Sequence, residues 1–189
     1  MTIVDQNISI ELARPSLDNL PNYALPPEYQ ATWYTPGDER HWVDIHVQAD
    51  RYNTITIERF RHSFGVDSAR LAERQLYLRT LDGSVIATAS AWYDGDDPAT
   101  PVGRVHWVAI VPAYQGRGLA KPLLSLVCQR LSDLGHREAI LDTSTGRVPA
   151  INLYREFGFL PKIAAPTDLE VWRELAPFLK APTGLRDAI

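Results

Sequence analysis

Cysteine, long apolar runs and a large excess of charge of one sign are all scarce in this sequence. Cys128 is the only cysteine, so no disulfide can form within the chain, as is usual in a reducing compartment. No stretch approaches the roughly 18 consecutive apolar residues of a membrane-spanning helix. The formal net charge is only −4, whereas a broad nucleic-acid surface needs a basic face. These absences exclude a disulfide-stabilised scaffold and argue against membrane and nucleic-acid partners.

The amino-terminal stretch MTIVDQNISIELARPS has no basic start followed by an apolar run. It is therefore not typical of a signal peptide, and we predict a cytoplasmic protein. With 189 residues the chain can bury a sizeable core. We predict that residues 1–35 form an N-terminal extension, with a first strand and a covering segment, and that residues 36–189 form the main domain.

The spacing of apolar residues predicts a mixed α/β fold with helices on both faces of a sheet. The predicted strands are residues 8–12, 30–34, 75–81, 85–93, 104–111 and 138–143, with a last strand around 169–172. The predicted helices begin after Asp38 and after Asn53-Thr54, and two more cover residues 119–134 and 149–157. The sole cysteine falls on the apolar stripe of the helix at 119–134, so we expect a core residue rather than a nucleophile.

The most informative stretch is the loop at residues 112–118, between a strand and the long helix. Gly116 and Gly118 permit tight turns and close approach of a ligand. The first N–H groups of a helix have no partner within it and carry a partial positive charge, so such an end binds phosphate. Arg117 and Lys121 add charged side chains nearby. A glycine turn before a helix would look the same, and neither the Walker motif nor the dinucleotide fingerprint G-x-G-x-x-G is matched.

Two motifs together resemble those of the GNAT superfamily of N-acetyltransferases. The family's phosphate loop, Gln/Arg-x-x-Gly-x-Gly/Ala, is matched by Gln115, Gly118 and Ala120. Residues 110–114 also look like the family's Val-x-Pro-x-Tyr lead-in. Residues 150–159 resemble its Ala-x-x-x-Tyr-x-x-x-Gly-Phe helix end. The resemblance is strong over residues 104–159 and loose over the first ~35 residues.

The resemblance implies a GNAT fold, in which a central, mostly antiparallel sheet is splayed at the cofactor site, and acetyl-CoA as the co-substrate. The pantetheine arm would pair with the backbone of one strand, and the pyrophosphate would lie on the loop amides. The family often has Asn seven residues before its tyrosine, where this chain has Arg147, which would reach a phosphate or close over the cofactor. No metal is implied. The cofactor-binding residues expected on this basis are Ala109, Ile110, Val111, Gln115, Gly116, Arg117, Gly118, Leu119, Ala120, Lys121 and Arg147.

Two residues are expected to carry the chemistry. Tyr154 matches the family's tyrosine that protonates the leaving thiolate, although the same residue could simply pack on its helix face. His106 resembles a histidine that some members use as a general base through water. It lies four residues before Ile110, so we expect the two to share one strand face. A buried structural histidine is the alternative, and the weaker base candidates are Glu58, Asp94 and Asp142, or ordered water alone.

These expectations lead to one function and two alternatives. The resemblance implies direct attack by an amine of a small molecule on acetyl-CoA in a ternary complex. The first alternative is an inactive GNAT-fold module that binds CoA or a partner, and the second is an acetyltransferase for protein N-termini or lysines. The sequence leaves a homodimer open. His46 is expected on a helix surface, and the histidines show no metal-ligand spacing.

Overall fold

A computed structural model of the chain describes residues 1–180, and residues 181–189 of the predicted main domain lie outside the described residues. The described part is built on one seven-stranded sheet. Its strands are Ser9–Arg14 (β1), Tyr29–Trp33 (β2), Gln75–Thr80 (β3), Val85–Tyr93 (β4), Val102–Ile110 (β5), Glu138–Ser144 (β6) and Leu160–Pro161 (β7). Its α-helices are Ile3–Gln6 (α1), Glu39–Ala49 (α2), Ile57–Phe64 (α3), Ser68–Arg74 (α4), Ala120–Asp133 (α5), Val148–Glu156 (α6) and Pro166–Leu175 (α7).

The strand order is β2-β3-β4-β5-β6-β1-β7. Neighbouring strands run antiparallel, except that β5 and β6 are parallel. This parallel pairing covers only Val102–Arg104 against Glu138–Ile140, and the two strands then separate. The splayed, mostly antiparallel sheet that the resemblance implies is confirmed, and the separation opens a gap in the middle of the sheet.

The strand at the beginning of the chain lies inside this sheet. β1 is hydrogen-bonded to β6 on one side and to β7 on the other. Leu12 at its centre is fully buried. Because β2 forms the opposite edge of the same sheet, residues 1–35 supply two of its strands. The boundary at residue 35 stays a prediction.

A β-bulge interrupts β5 in the middle of its pairing with β4. Thr88 pairs with Ala109 and Ser90 pairs with His106, so β5 carries one extra residue. Trp107 lies in the bulge with a φ of +50°. His106 is opposite Ser90 and Ile110 is opposite Ala87. Since residues three apart on β4 point to opposite faces, the expectation that His106 and Ile110 share a face is wrong.

Helices cover both faces, as predicted. On one face, Trp42 of α2 packs against Phe60 and Phe64 of α3 and against Trp107, with ring centroids 5.0–6.0 Å apart. On the other face, α5 buries an apolar stripe completely. Cys128 belongs to that stripe, and burial raises the pKa of its thiol to about 12, as expected of a core residue. The α5 residues with no exposed surface are Leu123, Leu124, Val127, Cys128 and Leu131.

The predicted elements are present except for the last strand, and the structure also contains α1, α4, α7 and β7. The last strand, predicted around residues 169–172, is wrong, because this stretch belongs to α7. Pro166 is in its first turn, and Asp168 accepts the N–H groups of Ala164 and Ala165. Trp172 and Leu175, three residues apart, are the buried pair on one helical face. The short helices α1 and α4 were not predicted.

We expect Leu12→Ala to destabilise the whole domain, because β1 lies between two strands of the sheet. Removing a fully buried leucine costs about 2–5 kcal/mol of unfolding free energy. Denaturant unfolding followed by circular dichroism measures this loss in one transition. Leu81→Ala is the control, since Leu81 is 66% exposed and its truncation should cost little. A local loss of structure with an unchanged main transition would show that the first strand is a separable extension.

Candidate active site

The gap between β5 and β6 widens into a cleft of about 690 Å³. Its walls are residues 105–110 of β5, residues 142–144 of β6, the segment that follows α2 and the first turn of α6. The structure brings six of the predicted site residues together there: His106, Ala109, Ile110, Gln115, Arg147 and Tyr154. Val111 and residues 116–121 are not among its lining residues.

The backbone of Ile110 faces this cleft. The N–H of Val111 donates to the carbonyl of Ile86 on β4 at 2.9 Å. Ile110 and Ala87 are therefore a non-hydrogen-bonded pair, and the N–H and C=O of Ile110 point away from β4. The side-chain amide of Gln115 donates to the Ile110 carbonyl at 2.9 Å. This leaves the N–H of Ile110 directed into the gap, whereas the N–H of Val111 is already engaged within the sheet.

The glycine loop leads from the end of β5 to the start of α5. Gly116 and Gly118 have φ values of +74° and +79°, which favour glycine. An added Cβ at either position would meet no atom within 4 Å. The helix begins at Ala120 without a side-chain cap and without an acidic residue in its first turn. Its first N–H groups therefore keep their capacity to bind an anion.

The two basic side chains near this loop are held by neighbouring residues. The ammonium of Lys121 pairs with Glu156 at 2.6 Å and lies 5.1 Å from the ring centre of Tyr23. The guanidinium of Arg117 stacks on Tyr114 at 4.7 Å. Since Glu156 balances the charge of Lys121, the positive potential at the loop comes mainly from backbone N–H groups and Arg117.

Tyr154 lies in the cleft wall on α6 and is only 7% exposed. Its ring packs edge-on against Phe159, with centroids 6.2 Å apart. Burial raises its pKa to about 12, so the phenol keeps its proton at neutral pH. The side chain is therefore suited to donate a proton into the cleft rather than to accept one.

His106 lies on the face that α2 and α3 cover. Its ring is 5.5 Å from Phe64 and 5.9 Å from Trp107. Burial lowers its pKa to about 3, and the positive charge of Arg104 acts in the same direction. His106 is thus neutral at physiological pH and able to accept a hydrogen bond, but it is a weak proton acceptor.

His46 is a second histidine in the cleft wall, and the expectation that it lies on a helix surface is wrong. It is 2% exposed, and its Nδ1 lies 2.8 Å from the carbonyl oxygen of Trp42. Its Nε2 has no hydrogen-bond partner in the described part of the chain. Burial lowers its pKa to about 4. The helical spacing from Trp42 to His46, four residues, could have placed it on the buried stripe.

Arg147 joins two walls of the cleft. Its guanidinium contacts both carboxylate oxygens of Asp50 at 3.0 and 3.1 Å and the hydroxyl of Ser144 at 2.7 Å. It also lies 4.6 Å from the ring centre of Tyr52. Although burial raises the pKa of Asp50, hydrogen bonds from Asn53 and Tyr52 and the charge of Arg147 hold it below its ordinary value. Sequence reasoning missed Asp50 and Tyr52, which no motif marks.

The three weaker base candidates differ in position. Glu58 is exposed and is not among the cleft-lining residues. Asp94 and Asp142 both contact the guanidinium of Arg104, with Asp94 at 2.6 Å. Asp142 lines the cleft, and its pKa is raised by burial and by Glu11 despite the opposing effect of Arg104.

Residues 1–180 contain neither a metal-binding cluster nor a membrane-spanning helix. No cluster of three or more histidine, cysteine or carboxylate side chains there is arranged to hold a metal ion. No helix in that range has the length and apolar character needed to cross a membrane.

Comparison with known families and proteins agrees with this geometry. Residues 39–159 match the family model described as Acetyltransferase (GNAT) family. The mycothiol acetyltransferase of Catenulispora acidiphila is 28% identical over 163 residues, which cover 81% of this chain and 50% of that protein. The mycothiol acetyltransferase of an Arthrobacter species is 29% identical over 148 residues, which cover 74% and 45%. The chain thus spans about half the length of these curated relatives.

Solved structures show the same fold. A GCN5-related N-acetyltransferase from Sphaerobacter thermophilus aligns with a TM-score of 0.67 and 25% identity, covering 82% of this chain and 48% of that one. The ribosomal-protein-S18-alanine N-acetyltransferase from Escherichia coli aligns with a TM-score of 0.59 and 20% identity, covering 71% and 79%.

The buried His46 should make the domain less stable in acid. Its folded pKa, about 4, lies below the ordinary value of 6.5. The stability contributed by the neutral ring is therefore present above pH 6.5 and is lost as the pH falls toward 4, because only the unfolded chain takes up the proton. From pH 7 to pH 5 this loss amounts to about 2 kcal/mol.

Denaturant unfolding at the two pH values measures that loss. His46→Gln should lose about 2 kcal/mol less than the parent protein. The matched control is His62→Gln, at an exposed position, which should behave like the parent. Equal losses in all three proteins would contradict the assignment of a low pKa to His46.

Proposed function

The chain belongs to the GNAT acetyltransferase family, as the resemblance of its motifs suggests, and from this we propose that it transfers an acetyl group from acetyl-CoA to an amine of a small molecule. The observation that carries the proposal is the gap between β5 and β6, with the N–H of Ile110 directed into it and Tyr154 in its wall. The relatives named mycothiol acetyltransferases support acetyl transfer to a small molecule.

We assign the acyl donor to the open edge of β5 and the glycine loop. The pantetheine arm would pair with β5 at Ala109 and Ile110, as an added strand pairs with a sheet edge. The N–H of Ile110 would meet the thioester oxygen of the donor, because the N–H of Val111 is engaged with β4. The pyrophosphate would be held by N–H groups of residues 116–121. The Asp50–Arg147 pair would hold the wall of the cleft over the donor.

The chemistry requires a neutral amine, stabilisation of a developing oxyanion and a proton for the leaving thiolate. The N–H of Ile110 is the proposed oxyanion donor. Tyr154, whose phenol is protonated at neutral pH, would give its proton to the thiolate. The low pKa of His106 makes it unsuited to hold a proton. We assign it the role of orienting a water that carries the proton of the amine away.

Gly118→Val should weaken CoA binding, with some loss of stability because valine is strained at this positive φ. The new side chain would enter the open space above the loop and obstruct the pyrophosphate, and calorimetry with CoA measures the loss. Gly95→Val is the matched control, since Gly95 also has a positive φ, +71°, and open space around it but lies in the connection between β4 and β5, away from the start of α5. Unchanged CoA affinity in a folded Gly118→Val protein would remove the loop from the donor site.

Tyr154→Phe should lower the turnover of acetyl-CoA by about 10²–10⁴-fold, the usual contribution of a general acid. Affinity for CoA should be unchanged, because the proposed phosphate contacts are elsewhere, and a rate loss with intact binding identifies a group that acts in the transition state. Thiol release with a panel of amines measures the rate, with Tyr29→Phe on the edge strand β2 as control. Near-parental turnover would make Tyr154 a packing residue. CoA binding by the parent protein without turnover of any amine would favour the inactive module.

A further inference from the structure

A second cavity lies beside the cleft, between β1 and α7. This groove has a volume of about 380 Å³. Ser9 and Asp142 line both the groove and the cleft, so the two spaces meet at these side chains. None of the motifs above accounts for the groove. Its lining also includes Ile8, Glu11, Lys162, Thr167, Asp168 and Val171.

The junction lies on the same face of the sheet as His106. Arg104 and His106 are two residues apart on β5, before the bulge, and share a face. The guanidinium of Arg104 contacts the carboxylate of Asp142, which brings that carboxylate to the same face. Glu11 is directly opposite Asp142 in the pairing of β1 with β6, so it also points there. A molecule in the groove would therefore reach the cleft at the His106 side.

The groove carries more negative than positive charge. Its lining holds three carboxylates, on Glu11, Asp142 and Asp168, and one ammonium, on Lys162. Lys162 contacts Glu11, and Asp142 must share the guanidinium of Arg104 with Asp94. Asp142 keeps half of its side-chain surface exposed, so it remains accessible.

The directly opposed carboxylates have an electrostatic cost. Like charges facing each other across paired strands destabilise a sheet. Burial and the nearby charge of Glu11 raise the pKa of Asp142. A bound cation between the groove and the cleft would relieve this repulsion, and the aliphatic side chains of Ile8 and Val171 offer an apolar wall beside it.

We propose that the groove between β1 and α7 binds the acceptor, and that the acceptor is a primary amine whose ammonium lies at Asp142 and whose neighbouring substituents carry no negative charge. The proposal rests on the proposed acetyl transfer for its chemistry. It adds the place of the acceptor and its charge class. Glu11 and Asp142 are specificity-determining residues in this assignment, and Thr167 borders the groove where α7 begins.

Direct binding tests the proposal without turnover. The probe is N,N-dimethylphenethylamine, a cation that cannot form a stable neutral amide. Calorimetry should show saturable binding to the parent protein, with roughly tenfold or greater weakening in Asp142→Asn and Glu11→Gln. Glu170→Gln is the matched control, because Glu170 lies on α7, which forms one wall of the groove, but its side chain is exposed and does not line the groove. Thr167→Trp fills the groove without changing charge and should also abolish binding.

Acceptor selectivity gives a second readout. Phenylalanine carries a carboxylate where phenylalaninamide carries a neutral amide. The ratio of kcat/KM for phenylalaninamide to that for phenylalanine should fall roughly tenfold in Glu11→Gln and Asp142→Asn. Comparing each variant with the parent cancels the intrinsic difference between the two amines. Equal probe affinity in Asp142→Asn, Glu11→Gln and Glu170→Gln, or no effect of Thr167→Trp, would overturn the proposal. Probe binding without acetyl-CoA turnover would support the groove as a cation-binding site and refute the proposed acetyl transfer. Turnover without probe binding would support acetyl transfer and refute the groove as the acceptor site.

Discussion

The separation of β5 from β6 is the constraint on which the rest of the site depends. Two parallel strands that stay paired satisfy each other's backbone groups, but here the pairing ends at Arg104 and Ile140. Unpaired N–H and C=O groups in a dry interior would be costly, so the gap must remain open to water or be filled by a ligand. Gln115 satisfies one such group, the Ile110 carbonyl. The N–H of Ile110 is left for a ligand.

The bulge at Trp107 fixes the geometry of that gap. A tryptophan with a positive φ is held in this conformation only when its surroundings compensate. The indole packs against Trp42 and His46 and donates to the hydroxyl of Ser63 at 3.2 Å. The extra residue then inverts the alternation of the strand, so that His106 faces α2 and α3 while Ile110 faces the opposite layer. Because of this one inserted residue, the side chain of His106, which is proposed to orient the water that accepts the proton, lies on the opposite face of the sheet from the side chain of Ile110.

Local patterns predicted most of the fold, and the misses have physical causes. The glycine loop, the α5 stripe and the antiparallel pair of β3 and β4 depend on neighbours in sequence, which is why their positions could be predicted. The position of β1 depends on its pairing with β6, a strand far along the chain, where Ser9 is opposite Ser144. The sequence of the bulge contains no glycine or proline that would indicate it. The Arg147–Asp50 pair joins residues 97 apart, and spacing in a sequence does not reveal such partners.

The central position of β1 also bears on the order in which the chain can assemble. During synthesis β1 emerges long before β6 and β7, the two strands between which it lies. Contacts so distant in sequence form slowly, because a long loop must close before they stabilise anything. The strands β3, β4 and β5 are consecutive antiparallel neighbours with short connections and can form first. β1 is therefore made before the strands it pairs with but is among the last to be placed, and until then the edge of β6 is open to pairing with other chains.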